Sequence, residues 1–93
     1  GAAASHVQVY ADNQLMHTLP LDRDTQITVT TQYGTNVITV KNGEVSIAAS
    51  DCPGEDCVHS GAIHSTGRSI VCLPNGVEVR VVNAQSDVDF VVG

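Results

Sequence analysis

The dipeptide Asn42-Gly43 constrains this chain more than any other feature of its sequence. It joins residues 36–41, NVITVK, to residues 44–49, and both segments alternate apolar with polar side chains. Asn and Gly both tolerate the positive φ that a type I′ turn requires, and the twist of that turn matches antiparallel strands, so the segment predicts a β-hairpin.

The same period of two recurs along the chain. Residues 6–10 alternate around Val7 and Val9, Ala11-Asp12-Asn13 supplies turn residues, and residues 14–19 return as a second hairpin. Thr25 to Thr31 puts Ile27 and Val29 on one face, and Gln32-Tyr33-Gly34-Thr35 reads as the turn into the Asn-Gly hairpin. Further on, residues 69–73 and Val77 to Val82 flank the turn Pro74-Asn75-Gly76, with Val77, Val79 and Val81 inward, and residues 87–92 add one more strand. Seven or eight short antiparallel strands are expected in an all-β sandwich or barrel.

One segment breaks this rhythm. In residues 52–61, CPGEDCVHSG, Pro53 suits a first helical position, Glu55 and Asp56 complement a positive helix start, and Gly61 is placed to end the turn. A short helix of one or two turns is expected there.

At 93 residues the chain matches one domain, and such a domain buries only about 60 to 65% of its unfolded surface, which leaves stability thin. The domain is expected over residues 7–93, with residues 1–6 a flexible remnant whose opening Gly1-Ala2-Ala3-Ala4, lacking Met, looks like a protease scar. No stretch approaches the roughly 18 apolar residues of a membrane span. Ten acidic residues against four basic ones give a net charge of -6, which repels phosphate backbones and anionic membranes. Tyr10, Tyr33 and Phe90 are scattered, so no stacking platform offsets that repulsion, and nucleic acid is excluded as a partner.

The run Lys41-Asn42-Gly43, then Ser50-Asp51-Cys52-Pro53, Cys57-Val58-His59-Ser60-Gly61, Gly67 and Ile70-Val71-Cys72-Leu73-Pro74-Asn75 resembles the NusG domain II family, and in particular its free-standing members in Gram-positive bacteria. The resemblance covers residues 7–82. It implies a β-sandwich or barrel with a short helix, carried outside the cytoplasm behind an N-terminal membrane anchor. It supplies no catalytic mechanism. Ala62 stands where family members commonly carry an aromatic residue, so a contact made by that ring is missing.

Cys52, Cys57 and Cys72 accompany His59 and His64 in a chain otherwise poor in both types. With an extracytoplasmic location, a bridge from Cys72 to Cys52 or Cys57 is the favoured reading, because one disulfide adds about 2 to 4 kcal/mol to a small domain. A zinc site of Cys52, Cys57, Cys72 and His59 is the alternative, although the C-x4-C spacing departs from the usual C-x2-C pairs. Glu55 and Asp56 oppose thiolate formation at Cys52 and so weigh against a redox enzyme. The acidic group Asp51, Glu55 and Asp56 fits no EF-hand spacing, and His59 beside Ser60 is adjacency in sequence only.

These observations point to a non-catalytic binding or accessory module without a cofactor. Its expected contact surface for a protein or small ligand comprises Asp51, Cys52, Pro53, His59, Ser60, Gly61, Leu73, Pro74 and Asn75. Asp87 and Asp89 are charges of the kind that keep edge strands apart, so a monomer is expected. The rival readings are a thiol-redox or zinc-binding domain and, by analogy with NusG, a transcription-related module, which requires the alternative, cytoplasmic location.

Overall fold

The computed structural model describes residues 3–83. Seven strands alternate along them: β1 (His6–Ala11), β2 (Gln14–Pro20), β3 (Thr25–Thr31), β4 (Gly34–Lys41), β5 (Glu44–Ser50), β6 (Ser69–Cys72) and β7 (Val77–Val82). They form two antiparallel sheets, ordered β2-β1-β7-β6 and β3-β4-β5. Neither sheet closes on itself, so the architecture is an open sandwich and the barrel alternative falls away. The strand expected at residues 87–92 lies outside the described residues.

Each tight hairpin follows from its turn residues. Asn42 and Gly43 take φ of 53° and 75°, and Asp12 and Asn13 take 50° and 65°, the doubly positive backbone of a type I′ turn. The β3–β4 turn is shorter than the sequence suggests, because Gly34 pairs with Thr31 and only Gln32 and Tyr33 remain outside the ladder. The alternation fills the core from both sides. Val7, Val9, Ile70, Val79 and Val81 from the first sheet meet Val29, Ile38, Val40, Val45 and Ile47 from the second. Such β-branched side chains pack well on pleated surfaces. The outermost strand β2 is largely exposed instead, and a bulge between Val9 and Tyr10 shifts its register.

The irregular segment spans the mouth of the sandwich. A 3-10 turn (Pro53–Glu55) and a short helix α1 (Asp56–His59) follow β5, and α1 packs against both β5 and β6. Since β5 edges one sheet and β6 the other, α1 covers the gap between the two edges. The helical turns are not continuous. Glu55 has φ of 54° and breaks them, so it does not act as the first-turn acid that its position suggests, whereas Gly61, at 77°, ends the segment as expected. Beyond it, Ile63 exchanges two backbone hydrogen bonds of 2.9 Å with Val45 and ties the return chain to β5.

Candidate functional site

Two clusters lie side by side where β4, β5, α1 and the β6–β7 turn converge. The first is polar. Asn36 sits on β4 in step with Ile38 and Val40, so its side chain points inward, and it is fully buried. Asn75, 2% exposed, reaches it from the β6–β7 turn and donates through Nδ2 to Asn36 Oδ1 at 2.9 Å and to Asp51 Oδ1 at 3.0 Å. The Asn75 carbonyl accepts the Thr31 hydroxyl at 2.7 Å, and Asp51 Oδ1 also accepts the Thr35 backbone N–H at 3.0 Å. These bonds tie strands of the second sheet to a turn of the first. A bond from the Thr35 backbone, and then one from the Asn75 amide, hold the Asp51 carboxyl below its ordinary value. Gly34 is required beside them, because a Cβ there would run into the side chains of Asp51 and Asn75.

The second cluster is sulfur. Cys52 precedes the 3-10 turn, Cys57 lies on α1 and Cys72 ends β6; all three are buried, and their sulfurs lie within 4.8 Å of one another. The expected bridge from Cys72 to Cys52 or Cys57 is not formed, and all three cysteines are free. The Sγ atoms of Cys52 and Cys57 are 3.7 Å apart. A disulfide needs about 2.05 Å. Three sulfurs meeting at one point single out no pair. His59 does not join them: it is exposed at the end of α1, so the four-residue zinc set is reduced to its three cysteines.

Ser50 links the two clusters. Its Oγ accepts hydrogen bonds from Asn36 Nδ2 and the Cys52 backbone N–H, both at 3.1 Å, and lies 3.4 Å from Asn75 Nδ2, whose two hydrogens are directed to Asn36 and Asp51. With its lone pairs engaged, the hydroxyl proton is left to point at Cys72 Sγ, 3.8 Å away. Asn36 Nδ2 also lies 3.7 Å from Cys57 Sγ. Burial pushes the Cys57 thiol up to about 11. Burial acts on Cys72 in the same direction, but donors from the Asn36 amide, the Asn75 backbone and the other two thiols outweigh it and draw Cys72 below the ordinary thiol value.

Outside the sulfurs lies a pocket of about 250 Å³ lined by Cys52, Pro53, Asp56, Cys57, Val71, Cys72, Leu73 and Pro74. Of the residues expected at a contact surface, Cys52, Pro53, Leu73 and Pro74 line it. Asp51 and Asn75 instead belong to the polar network. His59, Ser60 and Gly61 lie at the far end of α1, where the Ser60 hydroxyl bonds back to the Asp56 carbonyl at 2.9 Å. Sequence reasoning missed Asn36 and Ser50. The signal for Asn36 was its inward parity with Ile38 and Val40. A wider depression of about 640 Å³ at the Asn42-Gly43 end gathers no comparable chemistry.

Among solved structures, a DUF1312 family protein from Ruminococcus gnavus is 38% identical, with a TM-score of 0.75, over 85% of this chain and 99% of that one. The Lin0431 protein from Listeria innocua is 22% identical, with a TM-score of 0.80, over 88% and 99%. A DUF1312 family protein from Enterococcus faecalis is 19% identical, with a TM-score of 0.79, over 85% and 97%. The latter two speak for the fold alone. No curated protein matches the chain. A family model described as NusG domain II matches residues 1–85, a span that takes in all seven described strands, the helical segment and the sulfur cluster, and the chain belongs to that family.

Proposed function

We propose that this domain is a non-catalytic, extracytoplasmic accessory module that holds an apolar side chain from an extended segment of a partner protein in the pocket between α1 and the β6–β7 turn. The observation that carries the reading is the apolar rim. Leu73, 83% exposed, and Val71, 46% exposed, stand beside Pro53 and Pro74 around an opening otherwise floored by sulfur. Large apolar side chains held in water beside a concavity mark contact surfaces.

The size of the pocket favours one inserted side chain over a drug-sized ligand, whose sites span about 300 to 1,000 Å³. The charge supports a basic partner, because Asp56 lines the pocket and the chain carries -6 overall. The location outside the cytoplasm rests on the likeness to free-standing, anchored relatives.

A photoreactive residue placed at Leu73 tests the contact in living cells, with the same probe at exposed Gln26 on β3 as the control. A discrete crosslinked species at Leu73 alone is expected. Identical adducts at both positions, or none at Leu73, would end this reading. Protease added outside intact cells tests the location: digestion supports it and protection overturns it.

A further inference from the structure

We infer that Cys52, Cys57 and Cys72 form a three-thiolate site for one thiophilic d10 cation, zinc(II) or copper(I), with an open coordination position facing the pocket. The inference goes beyond the contact reading and does not depend on it.

The spacing of the sulfurs fits such an ion. Metal–sulfur bonds of about 2.3 Å place sulfurs about 3.8 Å apart around a tetrahedral ion and about 4.0 Å apart around a trigonal one. The Cys52–Cys57 pair is at 3.7 Å, and all three sulfurs fall within 4.8 Å. The ligands come from three separate elements, so binding would fasten the β5 edge, α1 and the β6 edge together.

Hydrogen-bond donors reach two of the three sulfurs. A buried neutral thiol packs as a small hydrophobe and needs no donor. Here the Ser50 hydroxyl, its two lone pairs engaged by the Asn36 amide and the Cys52 backbone N–H, is left to donate to Cys72, and the Asn36 amide also approaches Cys57. Donors to ligand sulfurs are the outer-shell partners that orient and tune a metal centre. Soft thiolate sets select copper(I) and zinc over harder ions.

The coordination number follows from what converges on the sulfurs. Among the described residues no histidine or carboxylate joins the group, and His59 is exposed to solvent. All three cysteines line the pocket, so the fourth position of zinc, or the open face of trigonal copper, is assigned to that side. Binding is a ligand exchange: up to three S–H protons pass to solvent as three metal–sulfur bonds form, and no electron is transferred.

The test is anaerobic native mass spectrometry of the reduced, metal-free protein with zinc(II) or copper(I) added in separate experiments, followed by iodoacetamide alkylation. One ion per chain and protection of all three cysteines are expected. Uptake of zinc alone identifies a site completed by an exogenous fourth ligand, and uptake of copper alone identifies a trigonal site. Cys57→Ser is expected to weaken binding at least a hundredfold, and Ser50→Ala, which keeps all three ligands, about tenfold. The metal titration is read on the isolated domain and the crosslink in cells, so failure of the partner crosslink and failure of the metal site are separately visible. Failure of both ions to bind one to one would overturn the inference. So would binding unchanged by Cys57→Ser or, if that variant does not fold, cysteines that stay open to alkylation in the metal-loaded wild type.

Discussion

The asparagine network, buried at Asn36 and Asn75 and open to solvent at Asp51, and the buried sulfur cluster are neighbours built from segments far apart in sequence, yet they are opposites in how their bonding is completed. In the network, every buried side-chain nitrogen and oxygen among the described residues has a partner, and the bonds run from 2.7 to 3.4 Å. In the cluster, the sulfurs have each other and weak donors, with contacts at 3.7 to 3.8 Å. A buried amide pair whose polar atoms are partnered rigidifies and specifies one arrangement. The sulfurs keep the capacity to bind a ligand, and their cysteines line a pocket. The network is therefore read as the device that holds two sheets in register, and the sulfurs as the place where chemistry enters.

The largest effect expected from breaking this comparison lies in the network. Asn75→Ala removes the bond to Asn36 Oδ1 and leaves that buried oxygen without its donor. Such orphaned groups cost about 1 to 3 kcal/mol each, so a loss near 3 kcal/mol is expected in urea unfolding. A loss below about 1 kcal/mol would mean that water substitutes for the amide and that the network is not the tie between the sheets. Gly34→Ala follows. Its methyl would strike Asp51 and Asn75 and force both to move, with an expected cost of about 2 kcal/mol, typical of overpacking. Asn75→Ala and Gly34→Ala should combine to less than the sum of their separate effects, because they disrupt the same bonds.

What the sequence disclosed, and what it did not, follows the same division. The strands were legible because period-two alternation and Asn-Gly chemistry are local: Val7 and Val9, or Asn42 and Gly43, announce themselves within a few residues. The short helix was legible from Pro53 and Gly61, though the break at Glu55 was not, since an acidic residue in a left-handed conformation carries no distinctive local signal. The site was only partly legible. Cys52, Cys57 and Cys72 stood out by type, but which sulfurs meet, and that His59 stays outside, depends on how α1 settles between two sheet edges. Asn36 was hidden for a related reason: a polar residue on a strand ordinarily faces water, and only its partner 39 residues away shows why it faces in.

A subtler probe of the network is acid. Asp51 is held below its ordinary value of 3.8, so the stability it contributes is present above that value and lost as pH falls through its lower folded value. Asp51→Asn should therefore flatten the acid limb of the stability profile without moving the plateau at neutral pH as much as Asn75→Ala does. The profile is read from urea midpoints across an acid series. An unchanged acid limb would show that Thr35 and Asn75 do not discriminate carboxylate from acid, and the network would then owe nothing to charge.

The smallest effect on stability is expected where the effect on partner binding is greatest. Leu73 is 83% exposed at the rim of the pocket, and surface substitutions away from caps, strain or buried partners usually change stability by within about 0.5 kcal/mol. Leu73→Asp should leave the unfolding midpoint and the amide spectrum of the core unchanged. It should also remove the partner crosslinked from a photoreactive residue placed at Val71, because a carboxylate beside Asp56 replaces apolar area with charge. A variant that loses several kcal/mol would mean that Leu73 is covered in the folded protein and that the pocket is part of the core. A variant as stable as the wild type that still forms the crosslink would remove Leu73 from the partner-binding surface. Only a variant that keeps its stability and no longer forms the crosslink leaves the two regions distinct, one holding the sheets together and the other meeting a partner.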